Sequence, residues 1–268
     1  MMTAAKFFPR QFGSMSGRVA LVTGASSGIG AAIAQAFINA GGRVHCVARR
    51  GDEIRAWAGE ERLVRGNCVV HEIDVSDAYA MKDLGARLAE IDPLDTVVVA
   101  AGSNITNRRI SQVTLEDWDQ LVKVNLSGAF YTLHATLDQL RDRQGDLVLI
   151  SSVASRWPDH SGATYGATKS GLLGLAEGTG IDEHMNGVRV TTILPGIVNT
   201  AILDKRPVPP TAELREWMVQ PEDVAQACLT AVTLPGRANI AEMTIVATRL
   251  QSLGKTQDAN PRLSDFSV

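Results

Sequence analysis

The stretch Thr23-Gly24-Ala25-Ser26-Ser27-Gly28-Ile29-Gly30 limits what this chain can fold into more than any other. It follows the apolar run Val19-Ala20-Leu21-Val22 and opens into Ala31-Ala32-Ile33-Ala34-Gln35-Ala36-Phe37-Ile38. That order reads as a strand, a tight glycine turn and a helix. Gly24 admits a backbone with positive φ, which most side chains resist. Gly28 lets the main chain come close to a ligand, and Gly30 lets the new helix lie against the sheet. The open N–H groups at the helix start suit a pyrophosphate. The plain alternative is a glycine-rich turn that binds nothing.

Strand and helix patterns continue to alternate along the 268 residues. Strands are expected at 18–23, 44–48, 69–73, 96–100, 146–152, 188–194 and 242–246. Helices are expected at 28–40, 52–58, 76–90, 114–140, 163–185 and 221–233. This alternation argues a single doubly wound, Rossmann-type parallel sheet of about seven strands with helices on both faces. Thr96 to Ala100 is an apolar, β-branched run typical of a strand covered on both sides. Residues 1–17 read as an N-terminal arm and 18–248 as the dinucleotide-binding catalytic domain. The proline-containing stretch within 201–219 reads as a mobile flap, and 249–268 as an irregular tail.

Charge and composition narrow the partners. Net charge is -3 with no basic block, so neither nucleic acid nor an anionic membrane surface is indicated. No apolar run is long enough to span a bilayer. The five histidines show no metal-ligand spacing, so no metal is expected. Cys46, Cys68 and Cys228 form neither a CxxC pair nor a disulfide framework. With no apolar signal core in Met1 to Ser16, the expected setting is the reducing cytoplasm.

Two further clusters carry chemistry. Arg49 and Arg50 end the second strand, where an acidic residue would hold a ribose 2′-hydroxyl. A guanidinium at Arg49 would attract a 2′-phosphate instead, and the plain alternative is a solvated pair of arginines. Asp74, ending the third strand, could accept from an adenine amine or cap the following helix. Tyr165 and Lys169 are four apart on one helix face. A phenol ionises near pH 10, and a nearby ammonium lowers that value, so Tyr165 can trade protons with a carbonyl or an alcohol. Ser152 ends a strand and can hydrogen-bond the same oxygen. Asn125 lies in an apolar helix, where a buried amide needs partners.

These residues together resemble the short-chain dehydrogenase/reductase family in its compact one-domain form, from Gly17 to about Thr248. Thr23-Gly24 with Gly28 and Gly30 matches the family's TGxxxGxG motif. Tyr165-Gly166-Ala167-Thr168-Lys169 matches its YxxxK, with Ser152 thirteen residues earlier. Ala100-Ala101-Gly102 departs from its Asn-Ala-Gly by an Ala for the Asn, at the loss of one stabilising side chain. The resemblance implies a catalytic set of Asn125, Ser152, Tyr165 and Lys169: Tyr165 as general acid/base, Lys169 lowering its pKa and binding ribose hydroxyls, Ser152 orienting the carbonyl, and Asn125 holding a relay water. It implies an NADP cofactor, with NAD possible, against Gly24, Ser26, Ser27, Gly28, Ile29, Gly30, Arg49, Asp74, Val75, Ala101, Gly102, Tyr165, Lys169, Pro195, Gly196, Val198 and Thr200. Family members preferring NADP often carry a base inside the glycine turn, where this chain has Ser27. Substrate walls are expected at Ser103, Ala154, Trp157, His160, Ile197 and Leu203, with Arg156 or Arg206 as partners for a carboxylate. The implied reaction is hydride transfer between NADP(H) and a ketone, aldehyde or secondary alcohol. The alternatives are an NAD-dependent dehydrogenase of a hydroxy acid, sugar or steroid, and a non-catalytic dinucleotide sensor. A homotetramer or homodimer through the two long helices is the implied assembly.

Overall fold

The computed structural model describes residues 10–157 and 159–250; the rest of the expected arm and tail lies outside the described residues. The strands are β1 (Val19–Thr23), β2 (Arg43–Ala48), β3 (Cys68–Glu72), β4 (Thr96–Val99), β5 (Asp146–Ile150), β6 (Arg189–Pro195) and β7 (Glu242–Ile245). The helices are α1 (Gly28–Asn39), α2 (Gly51–Val64), α3 (Ala78–Ile91), α4 (Leu115–Val122), α5 (Gly128–Arg143), α6 (Ala163–Glu183), α7 (Ala212–Glu216) and α8 (Pro221–Thr233). All seven strands pair in parallel, in the order β3-β2-β1-β4-β5-β6-β7. The strand order reverses between β1 and β4, which opens a crevice at their carboxyl ends.

The unbroken apolar runs follow from this layering. Val22, Val98, Val148 and Ile193 turn to one face and pack with Ile33 and Phe37 of α1 and Val224 of α8. Leu21, Val97, Val99, Leu147 and Leu149 turn to the other and meet Leu84 and Leu88 of α3, Leu133 of α5 and Leu172 of α6. Because both faces are covered, neither parity of these strands is polar.

Three departures from the sequence reading bear on the site. The helix expected over 114–140 is two helices joined by a π turn at Lys123–Ser127, with Asn125 at its centre. Helix α2 continues past Ala58 because Gly59 takes φ 74° and kinks it instead of ending it. The flap holds local structure: a 3-10 turn at Ala201–Lys205, then α7, with a bridge between Val198 and Val219 at its ends.

The amino end of the sheet, opposite the crevice, carries an ionic lock that sequence pattern does not announce. Buried Asp146 at the start of β5 receives Arg10 at 2.8 Å, Arg18 at 2.6 Å and Arg189 at 2.7 Å. Burial raises its carboxyl pKa even against these three charges. Arg10 thus fastens the end of the arm to the sheet. No helix among the described residues is long and apolar enough to cross a membrane.

Candidate active site

A cleft of about 480 Å³ runs across the carboxyl ends of β1, β4, β5 and β6. That volume lies within the usual range for small-molecule sites. Every residue expected against the dinucleotide lines it, from Gly24 to Thr200. The glycine turn is built as a cradle. Gly24 has φ 70°, and a Cβ there would lie 2.8 Å from the Ala101 main chain. At Gly30 a Cβ would lie 2.4 Å from the Gly24 carbonyl oxygen. Side chains at either position would push the turn out of place. Ser27 stands at the N-cap of α1, but its hydroxyl accepts from none of the helix's own N–H groups, and no acidic residue sits in the first turn. The N-terminus of α1 therefore presents its N–H groups and positive dipole end to the cleft. Across the crevice, the Thr23 hydroxyl accepts from the Ala100 and Ala101 N–H groups at 3.1 and 3.2 Å. This bond holds the β4 loop without the asparagine that the family motif places at 100.

At the other end of the turn, the arginine that reaches the glycine loop is Arg50. Its Nη2 donates to the Ser26 and Ser27 hydroxyls, each at 3.2 Å. Arg49 lines the cleft too, but its guanidinium leans to Asp74 at 3.8 Å. Burial would raise the Asp74 pKa, yet the Ser76 N–H and hydroxyl, with Arg49 and Lys123, hold it below the usual carboxylate value. Helix α3 is capped by Asp77, not Asp74.

Tyr165, Ser152 and Lys169 converge where β5 meets α6. The Ser152 side chain hydrogen-bonds the Tyr165 phenol and favours its ionised form, but burial dominates and pushes the phenol up to about 12. Tyr165 itself is half-buried, whereas Lys169 is buried, and its Nζ donates to the Ile150 carbonyl at 2.8 Å. Burial pulls its ammonium down to about 8. The Nζ stands 5.7 Å from the centre of the Tyr165 ring. Burial thus opposes the effect expected of the lysine in the protein alone, and the phenol is a guarded acid.

Asn125 stands behind the cleft wall and does not line it. Its Oδ1 accepts from the Ser103 N–H at 2.8 Å, and its Nδ2 donates to the Ser103 carbonyl and the Thr168 hydroxyl. The amide therefore clamps the Ser103 main chain to α6. Of the expected substrate walls, Ser103, His160, Ile197 and Leu203 line the cleft. Ala154 and Trp157 do not. Ser152 caps a 3-10 turn at Val153–Ser155 through the Ala154 N–H. The Ser155 carbonyl then accepts from Ser170 on α6. That turn directs Ala154 into helix packing. Arg156 is likewise engaged elsewhere, with Glu177 and Glu242.

The sequence reading missed Arg50, Asn104, Arg108, Asp159 and Lys205, all of which line the cleft. Arg50 had a signal, as the second member of the arginine pair. Arg108 had none, because the loop after β4 has no periodicity to place it.

A family model described as short chain dehydrogenase matches residues 18–208. An uncharacterised oxidoreductase of Staphylococcus aureus is 31% identical over 234 residues, covering 86% of this chain and 97% of its own length. One from Staphylococcus haemolyticus is 29% identical over 232 residues, with the same coverage of each chain. Among solved structures, a closed serine dehydrogenase complexed with NADP+ is similar with a TM-score of 0.78 and 30% identity, covering 85% of this chain and 94% of that one. An alcohol dehydrogenase of the archaeon Thermococcus sibiricus, complexed with 5-hydroxy-NADP, is similar with a TM-score of 0.76 and 28% identity, covering 86% and 97%. The chain belongs to the short-chain dehydrogenase/reductase family, and it is an oxidoreductase of that family.

Proposed function

We propose that this chain moves a hydride between NADP(H) and a ketone, aldehyde or secondary alcohol. The observation that carries this reading is half-buried Tyr165 with its hydroxyl against buried Ser152, and buried Lys169 behind them, in the same cleft as the glycine cradle. The cradle fits a dinucleotide because main-chain contacts too close for a Cβ at Gly24 and Gly30 hold the turn in place, with the open N–H groups of α1 facing the cleft. When bound, the nicotinamide ring supplies or accepts the hydride. In reduction, the neutral Tyr165 hydroxyl gives its proton to the substrate oxygen while Ser152 donates a hydrogen bond to it. The Lys169 ammonium stabilises the phenolate that is left. Asn125 acts as a positioning residue through Ser103, and the resemblance adds a relay water beside the π turn. Retention of both Tyr165 and Lys169 favours this over a non-catalytic sensor. The free, buried thiols of all three cysteines accord with a cytoplasmic setting.

The 2′-phosphate of NADP would sit on Arg50, Ser26 and Ser27. Arg50 brings its guanidinium to the hydroxyl of Ser27, supplying the positive charge that the turn itself lacks. The NADP complexes of the two similar structures support the same preference.

The exposed side chains of Leu115, Trp118, Phe130 and Ile181 on α4, α5 and α6 form the surface through which a homodimer or homotetramer would assemble. Light scattering checks this: a dimer or tetramer mass is expected, and a monomer would remove the assembly.

A screen of ketones with NADPH consumption tests the reaction. Tyr165→Phe is expected to lower kcat by about 100- to 10,000-fold while NADPH still raises the melting temperature. Undiminished turnover in that variant would reject the mechanism. For the cofactor, Arg50→Ala should reduce the NADPH-over-NADH ratio of kcat/KM by about 10- to 100-fold, and more than Arg49→Ala does. A wild-type preference for NADH would overturn the NADP assignment.

A further inference from the structure

The glycine turn is held from two sides. On the β4 side, the Thr23 hydroxyl takes the Ala100 and Ala101 N–H groups. On the β2 side, the contacts fall on Ala25, between Gly24 and the two serines. Its N–H donates to the Val47 carbonyl at 3.3 Å. Its own carbonyl accepts from the Trp57 indole Nε1, on α2, at 3.0 Å. Ala25 is fully buried, and among the described residues the indole is the donor that reaches this oxygen. A buried carbonyl left without a donor costs about as much as a lost hydrogen bond.

The indole has a fixed origin. Ile54 and Ala58 lie on the same stripe of α2 and are buried in the core with Val44 and Cys46 of β2. Trp57 is half-buried and packs against that core. Arg50, at the start of the same helix, reaches the Ser26 and Ser27 hydroxyls. One helix thus touches three consecutive residues of the turn. Ser26, Ser27 and Gly28 line the cleft, whereas Ala25 and Trp57 do not.

Peptide geometry carries the Trp57 contact through to the cleft. The Ala25–Ser26 peptide is trans, so the Ala25 C=O and the Ser26 N–H share one plane and point in opposite directions. Holding the carbonyl back towards α2 therefore turns the Ser26 N–H away from α2, to the side of the cleft.

We propose that Trp57 is a positioning residue for the dinucleotide: its indole N–H sets the Ala25–Ser26 peptide so that the Ser26 N–H serves a phosphate of the bound cofactor. A leucine or phenylalanine would fill much of the same space but would leave the Ala25 carbonyl free to rotate. The proposal rests on the cleft being a dinucleotide site and is independent of the hydride step.

The test uses the full chain and needs no substrate. Calorimetry gives the Kd of NADP+ and of NAD+. Trp57→Phe keeps an aromatic ring and removes the N–H; it is expected to weaken NADP+ binding by about 10-fold. A larger loss for NADP+ than for NAD+ assigns the Ser26 N–H to the 2′-phosphate, and an equal loss assigns it to the pyrophosphate. Linkage demands the reciprocal effect. Bound NADP+ should slow solvent exchange of the wild-type Trp57 indole N–H by about the same factor, and more than it slows the Leu149 N–H in the middle of the sheet. The indole proton is followed by NMR and identified by its loss in Trp57→Phe. If that variant does not fold, Phe variants of Trp118, Trp157 and Trp217 identify it by elimination. A lower melting temperature with an unchanged Kd would make Trp57 a packing residue and overturn the proposal. Indole exchange that NADP+ slows no more than that of Leu149 would overturn it as well. If the wild type binds neither nucleotide, the dinucleotide reading of the cradle fails first and the proposal falls with it.

Discussion

A buried ammonium held against a main-chain carbonyl is the constraint on which the site depends. Lys169 reaches from α6 to the Ile150 oxygen at the end of β5. Its depressed pKa means that keeping the charge inside costs on the order of 3 kcal/mol at neutral pH. That cost is present below pH 8 and fades as the group deprotonates at higher pH. The fold supports it through neighbouring bonds: Ser151 donates to the Lys169 carbonyl, and Asn125 reaches Thr168 one residue earlier. Strand β5, helix α6 and the π turn are therefore locked to one another at the place where Tyr165 meets Ser152.

The two ends of the cleft follow different electrostatic logic. At the glycine turn, main-chain N–H groups and Arg50 prepare a surface for anionic groups without burying a side-chain charge. At the tyrosine, burial dominates: it keeps the phenol protonated and makes the lysine's charge marginal. The flap belongs to this second end, because Leu203, Lys205 and Arg206 all face the cleft. Its 3-10 turn and the Val198–Val219 bridge give these side chains a fixed origin.

Most of the architecture was legible because both faces of a parallel sheet must be apolar. Runs such as Thr96 to Val99 announce this directly, and glycine spacing after β1 announces the crevice. The π turn was not legible, since Asn125 sits in an apolar pattern that a plain helix satisfies equally. Arg50 was passed over for Arg49 because sequence order does not say which of two neighbours turns towards the loop. Asp146 and its three arginines, and the hydrogen-bonded His45, His71 and Asp92, are assembled from residues far apart in the chain. Periodicity carries no record of such meetings. Ala154 and Trp157, read as substrate walls, lie outside the cleft lining, and the 3-10 turn at Val153–Ser155 that carries Ala154 has no mark in the sequence pattern.

The most direct measurement is the pH dependence of kcat/KM for NADPH in carbonyl reduction, which reports groups of the free enzyme. Tyr165 must be protonated, which it remains up to about pH 12, and Lys169 must be charged, which it ceases to be as pH rises through about 8. The account therefore predicts a level profile at neutral pH and a fall of about tenfold per pH unit above 8. A profile that stays level to pH 10 or beyond would show that the lysine charge does not serve the phenol, and would contradict the account.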